Sequence, residues 1–296
     1  MNRFLFLLCV LAVAFYFSPS SAATALSSKT SGALKWKQHC ANVAATPDLF
    51  LRTISQASNR LSFTNHGGLF NGGVCWWHSR LIRATQYLAV FDASAPKPTP
   101  DEAYKLVYRL RSGRPVTIPG FNNLHEFSNA FYNVIQQNLE EWQVSNGGFG
   151  FGFLDGLMGS TTVPANELKS LMDGAYIEIK KNQKPLYQVL QLPGVTAHAW
   201  IIAGMEPTSN GYIFSVVDSN YLSMQTWAYN YGDTHLKYGH LPFVSYTTRR
   251  GLKEEALLTK RLNDSCVSLQ AKGKLVDAPM TIDEELDLLM GPPAAN

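Results

Sequence analysis

From Pro47 to Lys180 the apolar residues recur at three- and four-residue intervals; beyond Pro185 they alternate or gather in short runs. The first regime predicts helices. Over 47–61, Leu49, Ile54 and Leu61 share a face, with Pro47 where helices favour a proline. Val74, Trp77, Leu81 and Leu88 do the same along a stretch that opens near Cys75 and runs to about Val90. The breaker "DASAPKPTP" follows, and then helical stretches are expected at 101–111, 122–141 and 164–180. Between the last two, "SNGGFGFGFLDGLMGS" (145–160) carries too many glycines for either regular element and predicts a long loop or flap. The second regime predicts strands. "PLYQVLQLP", "VTAHAWIIAGM", "YIFSVVDSNY", "QTWAYNYG" and "FVSYTTRR" are rich in Val, Ile, Tyr and Trp and bounded by turn residues. They read as an antiparallel sheet of about five strands. Helices first and strands afterwards define an α+β protein, not a βαβ series.

The ends have a different character. Arg3 precedes an apolar run from Phe4 to Phe17, and Ser20 and Ala22 follow as small residues, the layout of a secretory signal peptide over 1–22. The run is short for a membrane span, which needs about 20 apolar residues. An uncleaved anchor is the alternative. No later segment approaches a span, so the expectation is a secreted or periplasmic protein with no stable membrane span once the signal is removed. Residues 23–46, rich in Ser, Thr, Ala and Lys, read as a loose lead-in to a domain over 47–272. The acidic stretch 273–296, ending in Pro-Pro-Ala-Ala-Asn, reads as a partly disordered tail.

Composition and charge exclude more than they identify. A formal charge of +3 and the lack of a Lys/Arg-rich run with interleaved aromatics give no reason to expect a nucleic-acid partner. Cysteine usage is more informative. Of the four cysteines Cys9 leaves with the signal, so Cys40, Cys75 and Cys266 remain, an odd set for an oxidising compartment. Cys40 and Cys266 lie near the two ends of the domain, and chain ends are often close in space, so they are a candidate disulfide. Cys75 would then be free. The alternative is three reduced, buried thiols.

"GGVCWWHSR", residues 72–80, puts Cys75 in the first turn of a helix behind a glycine loop. Such a cysteine fits a nucleophile, a metal ligand, half of a disulfide or a buried apolar residue. A helix N-terminus favours thiolate, and a nearby imidazole favours it more. His198 in "GVTAHAWIIAGM" is the candidate base, sharing a strand face with Thr196, Trp200 and Ile202. Asp218 ends the next strand. If Met205 pairs with Gly211, Asp218 falls directly opposite His198 and can fix its tautomer; a one-residue slip brings Ser219 there instead. Asn220 is the replacement for Asp218. Cys75 and His78 share a helix face and could begin a metal site, but zinc needs further ligands and no second Cys/His pair has that spacing, so no metal or cofactor is expected. Trp76 and Trp77 read as core and cleft wall, and Trp200 and Trp227 as aromatic core or cleft lining.

These segments resemble the papain-like cysteine peptidases. That family carries Gly-x-Cys-Trp opening a long helix, and Gly73-Val74-Cys75-Trp76 is similar. It carries His-Ala at the start of an apolar strand ending in glycine, and "HAWIIAG" at 198–204 looks like it. Its third residue ends the next strand as Asn or, in related branches, Asp, which matches "VVDSNY" at Asp218. The resemblance covers roughly residues 47–250 through three short motifs. It implies a papain-like α+β fold, a helical subdomain packed on an antiparallel sheet subdomain with a cleft between. It also implies a Cys75–His198–Asp218 triad that cleaves peptide or amide bonds through an acyl-enzyme.

Two features depart from the family. Leu69 stands where it usually has the oxyanion-hole glutamine, leaving Asn71, or else Asn65, as the side-chain donor beside the Cys75 N–H. No inhibitory helix of alternating charge precedes the domain. The expected partner is a peptide, protein or peptidoglycan-peptide substrate. The alternatives are a transglutaminase-like acyltransferase, a cell-wall peptide amidase, or an inactive secreted binding protein on the same fold.

Overall fold

The computed structural model describes residues 20–68, 73–149, 159–193 and 197–276. Residues 1–19, within the expected signal peptide, and Leu69, Asn71, Thr196, the centre of the glycine-rich stretch (150–158) and the tail from 277 onward lie outside the described residues.

The fold is α+β. Its helical part comprises α1 (Ser20–Ala45), α2 (Leu49–Ser55), α3 (Cys75–Leu88), α4 (Pro100–Arg111), α5 (Leu124–Ala130) and α6 (Tyr132–Trp142). Two short strands, β1 (Ala89–Asp92) and β2 (Val116–Pro119), pair in parallel among them. After α7 (Ala165–Lys180) come β3 (Leu186–Gln191), β4 (Ala197–Thr208), β5 (Gly211–Asp218), β6 (Gln225–Asn230), β7 (Leu236–Tyr238) and β8 (Leu241–Tyr246). A long last helix, α8 (Arg249–Lys272), closes the described chain. The strands β3–β8 form one antiparallel sheet of six, in the order β6-β5-β4-β3-β8-β7.

Each face of this sheet buries a separate core. Leu168, Met172, Ala175 and Ile179 recur at helical spacing on α7 and pack against Trp200, Ile202, Phe214 and Val216 on one face. Burial of the larger of these side chains contributes about 1.5–3 kcal/mol apiece. On the other face Ala199, Ile201, Val189 and Val217 meet α3, every residue of which is buried. A helix buried all round must also bury its polar residues, and α3 carries Arg80 and Arg83. Glu254 on α8 answers both, through Arg80 Nε at 2.8 Å and through Arg83 Nη2.

Several expectations are corrected. Residues 23–46 are not a loose lead-in; they lie in α1, whose Trp36 is fully buried and which packs on β1 and α8. Alanine-rich sequence carries little cost in a helix, and burial of the indole together with a disulfide holds the helix in place. That disulfide joins Cys40 to Cys266 on α8 and leaves Cys75 free, as the cysteine count anticipated. The single helix expected over 122–141 is broken at Phe131 (φ −121°, ψ 34°) into α5 and α6. The helix expected over 47–61 stops at Ser55, and one 3₁₀ turn, Ala57–Asn59, follows it. The sheet has one strand more than the five expected, the three-residue β7.

No helix among the described residues is long and apolar enough to cross a membrane.

Candidate active site

Cys75 is the first residue of α3 and is 6% exposed. The first backbone N–H groups of a helix have no intrahelical acceptor and place partial positive charge there. The chain reaches this point through Gly73 at φ +86°, where a Cβ would lie 2.4 Å from the Asn65 amide nitrogen, so only glycine fits. Gln143, immediately after α6, holds the same loop by donating Nε2–H to the Gly73 carbonyl at 2.9 Å.

Helix α3 lies along β4. The Cys75 thiol is 3.9 Å from the Ala197 carbonyl, and one turn on the Ser79 hydroxyl donates to the Ala199 carbonyl at 3.4 Å. Four helical residues rise about 6 Å and two strand residues about 6.8 Å, so the two repeats stay in step along the interface. His198 is the second residue of β4, and this alignment brings it against Cys75.

The imidazole is 5% exposed; its Nε2 hydrogen-bonds Asp218 Oδ1 at 2.8 Å, and the Cys75 side chain is its close electrostatic neighbour. Burial works against the imidazolium, but the electrostatic interaction with Cys75 and the bond to Asp218 outweigh it and carry the His198 pKa up to about 10. Asp218 is 1% exposed. Burial alone would raise its pKa; His198, the Asn220 N–H at 2.8 Å and the Tyr238 hydroxyl at 2.9 Å together bring it below the ordinary carboxylate range.

The three residues therefore meet as their order in the chain predicted, but in a different register. Trp200, not His198, pairs with Asp218, because the β4–β5 hairpin closes on Thr208–Gly211, and the one-residue shift between Ile202 and Gly204 takes back only part of that offset. His198 and Asp218 are diagonal neighbours on one face, a separation that two polar side chains of this length can bridge.

The neighbouring candidates separate clearly. Asn65 is engaged on both ends of its amide. Its Oδ1 accepts from the Val74 N–H and its Nδ2 donates to Asn220 Oδ1 at 3.1 Å. Asn220 does not replace Asp218; it supports it through its backbone N–H. His78 faces inward and donates Nε2–H to the Phe63 carbonyl at 3.0 Å, and burial brings its pKa down to about 4, so it is a neutral core residue. Among the described residues no group of three His, Cys, Asp or Glu side chains converges as metal ligands would. Trp76 and Trp77 are both buried, their rings stacked at 6.0 Å. Trp200 is core at 0% exposure, whereas Trp227 stacks on Tyr238 at 5.3 Å beside the site.

Tyr238 is the residue that sequence reading missed. Its hydroxyl donates to Asp218 Oδ2, and its ring stands edge-on to His198 at 5.6 Å. The three-residue strand that carries it has too few positions to show a period, so nothing in the pattern marked it.

Compared with protein-family models, with curated proteins and with solved structures, the chain matches none.

Proposed function

We propose that this chain is a papain-like thiol hydrolase that cleaves peptide or amide bonds through Cys75, His198 and Asp218. The observation that carries the reading is His198 hydrogen-bonded to Asp218 Oδ1 with the side chain of Cys75, at the first turn of a buried helix, as its close electrostatic neighbour. The division into a helical part and an antiparallel sheet, with the nucleophile on one and the base on the other, supports the papain-like assignment. The disulfide supports an exported protein, the signal peptide over 1–22 being part of the same proposal.

In this mechanism His198 holds the proton released by Cys75, giving a thiolate beside an imidazolium. The thiolate attacks the substrate carbonyl carbon and forms a C–S bond, and the oxyanion meets the Cys75 N–H and the Asn71 side chain. The imidazolium gives its proton to the amine as the C–N bond breaks. Water then attacks the thioester, His198 takes its proton, and the acid leaves as the C–S bond breaks. Asp218 orients the imidazole and stabilises its charged form throughout.

The test is alkylation of Cys75 by iodoacetamide. The reading expects rapid, single-site labelling near pH 6 that is lost in His198→Ala. Slow labelling that rises only near the ordinary thiol pKa of about 8.5, and is indifferent to His198, overturns it in favour of a binding protein.

A further inference from the structure

Five hydrogen bonds, together with the electrostatic contact of His198 with Cys75, run around the triad as a ring. The Val74 N–H donates to Asn65 Oδ1; Asn65 Nδ2 donates to Asn220 Oδ1 at 3.1 Å; Asn220 Nδ2 donates to the Tyr238 hydroxyl at 3.0 Å. The Tyr238 hydroxyl donates to Asp218 Oδ2 at 2.9 Å, Asp218 Oδ1 meets His198 at 2.8 Å, and His198 meets Cys75, the residue bonded to Val74. Half of this ring is the triad. The other half leads from Asp218 back to the nucleophile helix without passing through His198.

Asn65 is where the two parts of the molecule join on that return path. Its side chain holds the residue before Cys75, and its backbone N–H donates to the Ser219 carbonyl at 2.6 Å, in the turn that carries Asp218. Three bonds from one residue thus tie the N-terminus of α3 to the end of β5. The side chain also fills the space beside Gly73 that any Cβ would need. Asn220 is exposed and lies in a turn, so its amide has no packing role that would explain its orientation.

We propose that Asn65 is a positioning residue, which together with Asn220 spans the site and sets the separation of Cys75 from His198. The proposal rests on the triad reading above. A thiolate–imidazolium pair depends steeply on that separation, and a path of hydrogen bonds from Asp218 back to α3 leaves the two groups less freedom than their own contact alone.

Asn65→Ala and Asn220→Ala separate this role from plain stability. Each is expected to slow iodoacetamide labelling of Cys75 at pH 6 about tenfold, the effect of one well-formed hydrogen bond, and to move the acid limb of the rate profile toward the ordinary thiol range. Because both side chains belong to one ring, the double variant is expected to lose no more than the larger single loss, whereas independent losses multiply. Asn220→Ala leaves both other bonds of Asn65 in place and keeps the test open should Asn65→Ala fold poorly. If the unaltered protein labels rapidly at pH 6 and Asn220→Ala labels equally fast with the same profile, the positioning role is overturned and the triad stands. If the unaltered protein itself labels like a free thiol and His198→Ala matches it, the triad reading falls instead.

Discussion

Asp218 Oδ1 lies 2.8 Å from His198 Nε2, although the residue directly across the β4–β5 ladder from Asp218 is Trp200. The contact is diagonal: Asp218 faces Trp200 on β4 while His198 faces Leu190 on β3, and the pair forms at the end of the β4–β5 ladder, where helix α3 can reach it. One carboxylate oxygen faces the imidazole and the other faces Tyr238, which leaves Asp218 bonded on both sides while out of contact with water.

Removal of that charge tests its effect on the base. Asp218→Asn keeps the size of the side chain and an acceptor for Nε2–H but withdraws the negative charge that favours imidazolium. The His198 pKa, about 10 in the unaltered site, is expected to fall by about 1–3 units. An NMR titration of the His198 ring protons checks this. An unmoved titration would show that Cys75 alone sets the charge state of the base.

The α3–α8 ion cluster predicts a stability effect far from the chemistry. Glu254 is buried between Arg80 and Arg83; burial disfavours its charge, and the two guanidinia more than offset this and hold its pKa below the usual value. Glu254→Gln leaves buried Arg80 without a carboxylate partner and Arg83 with Glu255 alone, at 3.7 Å, at a cost of about 3–5 kcal/mol. The sign with pH follows from the depressed pKa. The stabilisation is complete above the unfolded-state value, about 4.3, and is lost as pH falls through the lower folded value. Urea unfolding of the two proteins should therefore differ most near neutrality and converge in acid.

How much of this was legible in the chain depends on the kind of signal. Cys75 at a helix start and His198 on an apolar strand were visible because each stands in a strong local pattern. The register between His198 and Asp218 was not, because the hairpin closes on Thr208–Gly211 and not on Met205–Gly211, a three-residue offset of which the bulge at Ala203 takes back only one, and neither changes the look of the strand. Helix α8 escaped notice for a related reason. Its buried residues are Gly251, Glu254, Leu258, Arg261, Leu262, Ser265 and Leu269, so three of the seven are polar or charged. Glu254 belongs there only because Arg80 and Arg83 wait on α3, and a pairing between residues so distant in sequence leaves no periodic trace. Asn65 was read as an amide near the oxyanion; its partners, Val74 and Asn220, become neighbours only when the sheet docks on the helices.

The Cys40–Cys266 bond closes nearly the whole described chain into one loop, with a sequence separation of 226. Restricting the unfolded chain to that extent stabilises the native state by about 5 kcal/mol in the chain-entropy account. Unfolding in urea with and without dithiothreitol should show a lower midpoint for the reduced protein, and Cys40→Ser should reproduce it without reductant. An unchanged midpoint would mean that the packing of α1, through Trp36, suffices to hold the two helices together.

His78 predicts the acid side of the stability profile. It is enclosed between Phe63 and the core of α3, with Nε2–H on the Phe63 carbonyl and Nδ1 buried without a partner. Burial brings its pKa from 6.5 down to about 4; the carbonyl opposes that fall only in part. In this case the folded value lies below the unfolded one, so the unfolded chain takes up the proton first. The native state keeps its full stability above about pH 6.5, loses it as pH falls toward 4, and loses no more below, a total of roughly 3 kcal/mol from this residue. His78→Gln retains an N–H for the Phe63 carbonyl and has no proton to gain. The difference in unfolding free energy between the two proteins should therefore shift by that amount between pH 7 and pH 4, in favour of the variant at the acid end. A difference that stays constant over the same range would show that His78 is protonated as readily in the native state as in the unfolded chain.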